Sequence, residues 1–442
     1  MKIDRLPGFR EFYPDECALR NHLFRTLRKV ARNFSFQEYD APVLEPLDLY
    51  IEKSGPEIVG QLFNFEDKGG RSVSLRPEMT PSLARMVGSQ AGSMRRPIKW
   101  FSIGEQFRYE RMQKGRLRSF YQFNADVLGE EGVGADAELV TLLIACLQGL
   151  GLNESHFHVR LSDRNLWYLF LESKRFTENQ ISGILGVVDK SERMSPEKLR
   201  AALCGIIDSS KVDSLLENIC EIKALDELDK VRDYFSEFRD SEAIQKRLEN
   251  WGSLFDSLEA MGVLPFISVD LSIVRGLAYY TGFVFEAFER SGKSRALAGG
   301  GRYDNLVGKL TPGSDMTATG FAIGDVTLVE CLKTHELLPK YLDSQDLYVV
   351  IGGPQERLTG LGIVGAFRKL GFSVSYSLKD QNLKKQLKDA SQRNARLAII
   401  VGSDELDQGM VLIKDMVNRK EVKVSMENLV RSVDAFFTDG KL

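Results

Sequence analysis

The sequence predicts an α+β protein in which one antiparallel β-sheet domain is interrupted by helices and followed by a smaller α/β domain. Three observations carry this. Short strand-like runs in the first third of the chain resume at "LPFISVDLS" (264–272), so the sheet is split in sequence. Between about 170 and 255 the texture is Leu, Glu, Lys and Asp at helical periods, which reads as an all-helical insertion. Beyond residue 345, strand and helix patterns alternate to the end, the signature of a compact α/β unit. The expected domains are therefore 1–335, including the insertion, and 345–442.

The elements follow in order. Residues 15–34 have helical spacing, and "YDAPVLEPLDLY" (39–50) reads as extended, with Pro42 and Pro46 confining it to edge or turn geometry. "IKWFSIGEQF" and "RSFYQFNADVLG" read as two strands joined through "MQKG", and a helix is expected near 135–151. Within the insertion, "MSPEKLRAAL" offers Ser195 as an N-cap and Pro196 at the first helical position. "TGFVFEAFE" and "GFAIGDVTLVECL" return to strand patterns, and a polar stretch near 334–345 looks like a linker. After it come "DLYVVIGG", a helix at about 356–370, "FSVSYSL", the helix "LKKQLKDASQRN", then "ARLAIIVG", "GMVLIKDM" and "EVKVSM".

Composition narrows the function classes. With 59 basic against 62 acidic residues, bulk charge marks neither a non-specific nucleic-acid coat nor a membrane-surface protein, so an anionic partner must be held locally. The N-terminus has no apolar signal region and no run of eighteen apolar residues occurs, which predicts a cytoplasmic protein without a membrane span. Cys17, Cys146, Cys204, Cys220 and Cys331 lie far apart with no C-x-x-C pair, arguing against a disulfide framework or a zinc site. Of the four histidines only His156 and His158 are near neighbours, and structural roles are expected for them.

Local charge is concentrated in "FRYERMQKGRLRSF" (107–120), where Arg108, Arg111, Lys114, Arg116 and Arg118 face a single acid, Glu110. Arginine grips phosphate bidentately, although a charged turn alone is also what a solvated hairpin tip looks like. In the strand that follows, a period of two puts Phe120, Gln122, Asn124 and Asp126 on one face and Tyr121, Phe123, Ala125 and Val127 on the other. An aromatic followed by two amides and a carboxylate, behind an arginine-rich hairpin, suits a nucleotide phosphate beside a cationic or amphoteric small molecule. In "SLRPEMTPSLARM" (74–86), Glu78 and Thr80 suit an ammonium group, or else Thr80 caps a helix whose first turn carries an acid. "IVRGLAYYTGFVFE" sets Arg275 before the pair Tyr279–Tyr280, and "LAGGGRYDNLV" has three glycines where backbone can approach a ligand. Neither fits a Rossmann or P-loop pattern.

Taken in order, these segments resemble the histidyl-tRNA synthetases, a family of class II aminoacyl-tRNA synthetases, over nearly the whole chain. "YDAPVLEPLDLY" is similar to class II motif 1, "FRYERMQKGRLRSFYQFNAD" to motif 2 and "ATGFAIGDVTL" to motif 3. "VRGLAYYTGFVFE" and "AGGGRYDNL" resemble the two peptides peculiar to histidyl enzymes. The resemblance implies a class II antiparallel-sheet catalytic core flanked by helices, a helical insertion and an α/β anticodon-binding domain. It implies ATP-dependent activation of L-histidine and transfer to tRNA(His), with Mg²⁺, in a cytoplasmic homodimer that binds neither DNA nor membrane.

Roles follow residue by residue from that likeness. Arg108 would contact the ATP α-phosphate, Glu110 and Phe120 the adenine, and Arg116 the outer phosphates. Glu78 and Thr80 would hold the α-ammonium of histidine, with Gln122 near its carboxylate or the phosphate. Asp126, Tyr280 and Tyr303 would recognise the imidazole, alongside Tyr279. Arg275 would act on the carboxylate and α-phosphate, and Arg111 and Gln113 would meet the tRNA acceptor end.

Two positions depart from the pattern. Motif 3 normally ends in an arginine that contacts the γ-phosphate, and Thr327 stands there. Ala278 occupies the usual aspartate position between leucine and the tyrosines. Arg302, Lys293 and Arg295 are the candidates to replace the lost guanidinium. A catalytically silent paralogue that binds histidine or tRNA as a regulator is the rival class, although Arg108, Glu110, Gln113, Arg116 and Gln122 are all retained.

Overall fold

The computed structural model describes residues 3–111, 113, 115–191, 194–274, 279–292, 295–339 and 345–439. Met112, Lys114, Arg275, Ala278 and Lys293 thus lie outside the described residues. The chain divides into two compact units, Met1–Pro339 and Lys340–Leu442.

In the first unit, helix α1 (Pro14–Asn33) opens on a proline, where the missing N–H costs nothing, and buries Leu23, Phe24, Leu27 and Ala31 at helical spacing. The strands that follow are β1 (Gln37–Glu38), β2 (Leu44–Pro46), β3 (Asn64–Glu66), β4 (Ser72–Leu75), β5 (Ile98–Phe107) and β6 (Ser119–Leu128). Then come β7 (Phe157–Asp163), β8 (Ile267–Val269), β9 (Phe283–Glu289), β10 (Ala298–Arg302) and β11 (Ala318–Gly324). Eight of them form one sheet in the order β1-β5-β6-β11-β10-β9-β7-β8, and β2, β4 and β3 form a small second sheet. The large sheet is antiparallel throughout except at its two rims, where β1 joins β5 and β8 joins β7 in parallel. The antiparallel core expected from the sequence is present.

Its centre is the β5–β6 hairpin, paired continuously from Ile98 opposite Leu128 to Phe107 opposite Ser119. On one face Phe123, Ala125 and Val127 join Phe101, Phe321, helix α1 and helix α4 (Gly134–Gly149) in the main core. The other face of β6 carries Phe120, Gln122, Asn124 and Asp126 and is roofed by a cleft. The alternation read from the sequence therefore separates core from site.

One stretch differs from expectation. Only Leu44–Pro46 of "YDAPVLEPLDLY" is strand; from Asp48 the chain turns into helix α2 (Asp48–Ser54), which buries Leu49, Tyr50 and Lys53. Pro46 ends the strand, and the spacing of those buried side chains is helical, a pattern that runs past the end of the stretch. Helix α3 (Thr80–Gly88) follows the small sheet.

The helical insertion comprises α5 (Arg164–Ser173), α6 (Glu178–Val188), α7 (Pro196–Cys204), α8 (Ser209–Lys223), α9 (Leu228–Phe235) and α10 (Glu242–Ala260). Ser195 caps α7 by accepting from the Lys198 N–H, with Pro196 at the first position as the local sequence predicts. Its first helix, "RNLWYLFLES", is aromatic enough on its buried face to mimic a strand. Asp163 fastens the insertion to the sheet: its carboxylate caps α5 and accepts from Arg247 at 2.5 and 2.9 Å and from Trp251 Nε1 at 2.8 Å.

After β11 come α12 (Asp325–Thr334) and the second unit; a short helix, α11 (Leu306–Leu310), precedes β11. The second unit is a five-stranded sheet, β12 (Leu347–Ile351), β13 (Val374–Tyr376), β14 (Leu397–Val401), β15 (Met410–Asp415) and β16 (Glu421–Ser425), ordered β13-β12-β14-β15-β16. Helices Arg357–Lys369 and Leu383–Gln392 pack on it, and a closing helix, Leu429–Asp439, buries Leu429, Val433 and Phe436. That last helix was not read from the sequence. No helix of the described residues is long and apolar enough to cross a membrane.

Asp163→Ala should destabilise the first unit by about 3–5 kcal/mol, because it leaves Arg247 without its buried partner and α5 without a cap. Urea unfolding followed by tryptophan fluorescence reads this, Trp167 and Trp251 both being buried there; a change below 1 kcal/mol would refute the anchoring role of this carboxylate.

Candidate active site

The open face of the sheet forms the floor of a cleft of about 640 Å³. Its walls are the basic hairpin, the segments before β9 and β10, and the start of α3. Glu78, Thr80, Arg108, Glu110, Arg116, Phe120, Gln122, Asp126, Tyr279, Tyr280 and Tyr303 all line it, brought together from four separated stretches. Arg111 and Gln113 do not; both are exposed on the hairpin beyond the cleft. Arg275 is outside the described residues.

At the basic end, Arg108 donates from Nε to the Pro77 carbonyl at 3.1 Å and lays its guanidinium 5.1 Å from the Phe120 ring centroid. Arg116 and Glu110 pair at 2.6 Å across the hairpin. At the other end Tyr303 donates its hydroxyl proton to Asp126 Oδ1 at 2.6 Å, and Tyr279 packs against both Tyr280 (4.6 Å between centroids) and Tyr303 (6.0 Å). Burial pushes Asp126 up to about 7; the Tyr303 hydrogen bond and the Lys53 charge oppose that without overcoming it.

Lys53 is the residue that pattern reading missed. Its side chain, fully buried in α2, places Nζ 2.5 Å from Glu78 Oε2 and 4.0 Å from the Tyr279 ring centroid. Burial would push Glu78 up, but the Lys53 and Arg108 charges hold it below the usual carboxylate range. Burial lowers Lys53, and Glu78 opposes that. Thr80 makes no capping hydrogen bond and α3 begins after Met79, so helix capping does not account for it.

Glycine keeps the floor open. A Cβ on Gly320 would lie 1.8 Å from Asp126 Oδ1, and one on Gly300 would lie 2.2 Å from the Gly320 carbonyl oxygen. The glycine run of β10 thus serves close strand approach beneath the cleft.

Of the candidates to replace the missing motif 3 arginine, Arg302 is excluded. It is buried away from the cleft, bonded to Asp136 Oδ2 at 2.6 Å and to the Glu130 and Gly132 carbonyls. Arg295 lines the cleft together with Thr327, while Lys293 is outside the described residues. On the core side of the sheet, Glu289, Cys331 and His335 bring their ligand-type atoms within 4.8 Å of one another, a grouping no sequence spacing announces. Glu289 Oε1 lies 3.1 Å from His335 Nε2, and His335 packs on His156, contacts that a structural role explains.

The raised Asp126 has a measurable consequence. An Asp in the unfolded chain ionises near 3.9, whereas in the fold it keeps its proton up to about 7, so stability is full below pH 4 and lost as pH rises to 7. Asp126→Asn does not titrate. The parent should therefore lose up to about 4 kcal/mol relative to D126N between pH 4 and 7, with little change above, in urea unfolding; a pH-independent difference would refute it.

A sequence profile described as Histidyl-tRNA synthetase matches residues 8–327, and one described as Anticodon binding domain matches residues 348–435. The chain is 51% identical to a histidine–tRNA ligase of Opitutus terrae over 435 residues, covering 98% of each chain. It is 37% identical to the chloroplastic/mitochondrial histidine–tRNA ligase of Arabidopsis thaliana, covering 97% of this chain and 86% of that one. The fold matches a crystal structure of histidyl-tRNA synthetase from Nostoc with a TM-score of 0.79 at 23% identity, over 98% of this chain and 99% of that chain. With both of its units matched in this way, the chain belongs to the histidyl-tRNA synthetase family.

Proposed function

We propose that this protein is a histidine–tRNA ligase, which activates L-histidine with ATP to histidyl-adenylate and pyrophosphate and then transfers histidine to the 3′ end of tRNA(His). The observation that carries this reading is the polarity of the single cleft. Arginines of the hairpin stand at one end, and a buried carboxylate among three tyrosines stands at the other.

Adenylation brings a carboxylate oxygen against the α-phosphorus of ATP and expels pyrophosphate. Positioning and charge neutralisation supply most of what that step needs. Arg108, fixed by the Pro77 carbonyl and stacked on Phe120, meets the α-phosphate without reorganisation; Phe120 and Glu110 take the adenine, and Arg116 reaches the outer phosphates. Glu78, held ionised by Lys53, and Thr80 receive the α-ammonium, and Gln122 lies beside the carboxylate. Asp126 accepts an imidazole N–H, with Tyr280 and Tyr303 enclosing the ring, and Arg275 acts on the carboxylate and α-phosphate as in the family pattern.

Mg²⁺ enters with ATP, held mainly by the phosphate oxygens, and would lessen the negative charge between the reacting groups. Glu286, on the open face of β9, offers a hard oxygen donor in the cleft that fits such an ion. The Arg111–Gln113 tip faces the tRNA acceptor end, and the second unit reads the anticodon. A cytoplasmic homodimer is the assembly that fits: β1 is a two-residue rim strand, and Val43 and Leu44, at the start of β2, are exposed apolar residues that a partner would cover. Thr327 in place of a phosphate-binding arginine favours a second reading, a silent regulator that keeps histidine binding alone.

Histidine-dependent ATP/pyrophosphate exchange separates the two. The ligase should exchange with histidine and none of the other nineteen amino acids, and Arg108→Ala should lower kcat by about 10²–10³. Histidine binding without exchange would establish the regulator.

A further inference from the structure

Thr327 sits in the first turn of α12, whose start is pinned to the sheet: Asp325 accepts from the Tyr121 N–H at 2.9 Å and from Arg10 at 2.8 Å. The Thr327 hydroxyl points back to the Gly324 carbonyl at 3.4 Å, so this position offers the cleft no cation. The space beside it is occupied. A Cβ built on Gly115, at the hairpin turn, would lie 3.4 Å from Arg295 Cδ, 3.5 Å from Thr327 Cγ2 and 3.7 Å from Glu330 Oε2. The Arg295 side chain thus lies against the hairpin turn at the place where Thr327 also meets it, and a longer side chain at position 327 would compete for that space. Its Nη2 donates to Gln113 Oε1 at 2.7 Å, which fastens the guanidinium to the hairpin, and the residue lines the cleft with Arg116 and Thr327.

Among the described residues, the other cations near the cleft have different places. Arg302 is committed to Asp136 on the far side, and Arg116, paired with Glu110, approaches the outer phosphates from the hairpin and not from the side of α12. We infer that Arg295, reaching in from the segment before β10, supplies the guanidinium for the β- and γ-phosphates of ATP and for leaving pyrophosphate, in place of the arginine that motif 3 lacks. Gln113 is then a positioning residue for Arg295 as well as part of the hairpin tip. Glu330, one turn beyond Thr327, would repel phosphate at that place, and Arg295 and Glu330 both approach the hairpin turn at Gly115, so the Arg295 charge offsets that repulsion. A guanidinium supplied from this loop contacts only the outer phosphates, while AMP, which lacks them, is blind to it.

The inference rests on the ligase reading, but nucleotide binding tests it separately. Equilibrium dialysis of the full-length protein without amino acid, so that no adenylate forms, would compare MgATP, inorganic pyrophosphate and AMP on the parent, Arg295→Ala and Arg295→Lys. The expected result for R295A is ATP and pyrophosphate affinity lower by on the order of 10²-fold with AMP affinity unchanged, and an intermediate loss in R295K, which keeps the charge but not the fork. Equal weakening of ATP and AMP would mean a structural role and overturn the inference, as would unchanged ATP affinity in R295A. If the parent shows no histidine-dependent exchange while R295A still loses ATP selectively, the ligase reading fails and the phosphate assignment stands.

Discussion

The period-two alternation of β6, locked between β5 and β11, is the constraint on which the rest depends. Its register is fixed on both sides, Asp126 opposing Trp100 on one neighbour and Gly320 on the other. A slip of one residue would send Phe123, Ala125 and Val127 into the cleft and Gln122, Asn124 and Asp126 into the apolar core. The hydrophobic penalty for that slip positions the polar groups of the site to within a side chain. The aromatic contacts of Phe123 with Phe101 and Phe321, at 5.7 and 5.9 Å between centroids, therefore help to position the polar site although Phe123 and Phe101 do not line the cleft.

The charges in the cleft are paired before any substrate arrives. Lys53 neutralises Glu78, Glu110 neutralises Arg116, and Tyr303 bonds Asp126. Each pairing offsets part of the desolvation that a lone buried charge would suffer. A ligand at either end of the cleft would compete with these partners, which favours molecules that present complementary charge at both ends.

Much of this was legible in the sequence because it is local. Ser195 and Pro196 announce a helix start within four residues, and the hairpin strands show their two faces within ten. The family motifs located the eleven cleft residues even though four distant stretches contribute them. What escaped the sequence was tertiary in origin. Lys53 belongs to a helix that reads as the tail of an extended segment, and its meaning lies in Glu78, across the small sheet. Arg302 looked like a spare cation in "GGGRYD", but its partner Asp136 is remote in sequence and lies on the other face. The closing helix Leu429–Asp439 carried a legible spacing of Leu429, Val433 and Phe436 but followed a strand pattern with no break in composition.

The glycines of the floor also bear on how such a site can change over generations. Gly300 is held small by the backbone of Gly320, and Gly320 is held small by the Asp126 carboxylate. The two vetoes differ in kind: the one at 300 comes from main chain and no substitution at 320 lifts it, whereas the one at 320 comes chiefly from a side chain and relaxes only after 126 has shrunk. Any enlargement at 320 is therefore tied to position 126, the buried carboxylate of the cleft. An ordering of that kind isolates the pocket from its neighbours in sequence space, and it does so through two missing methyl groups.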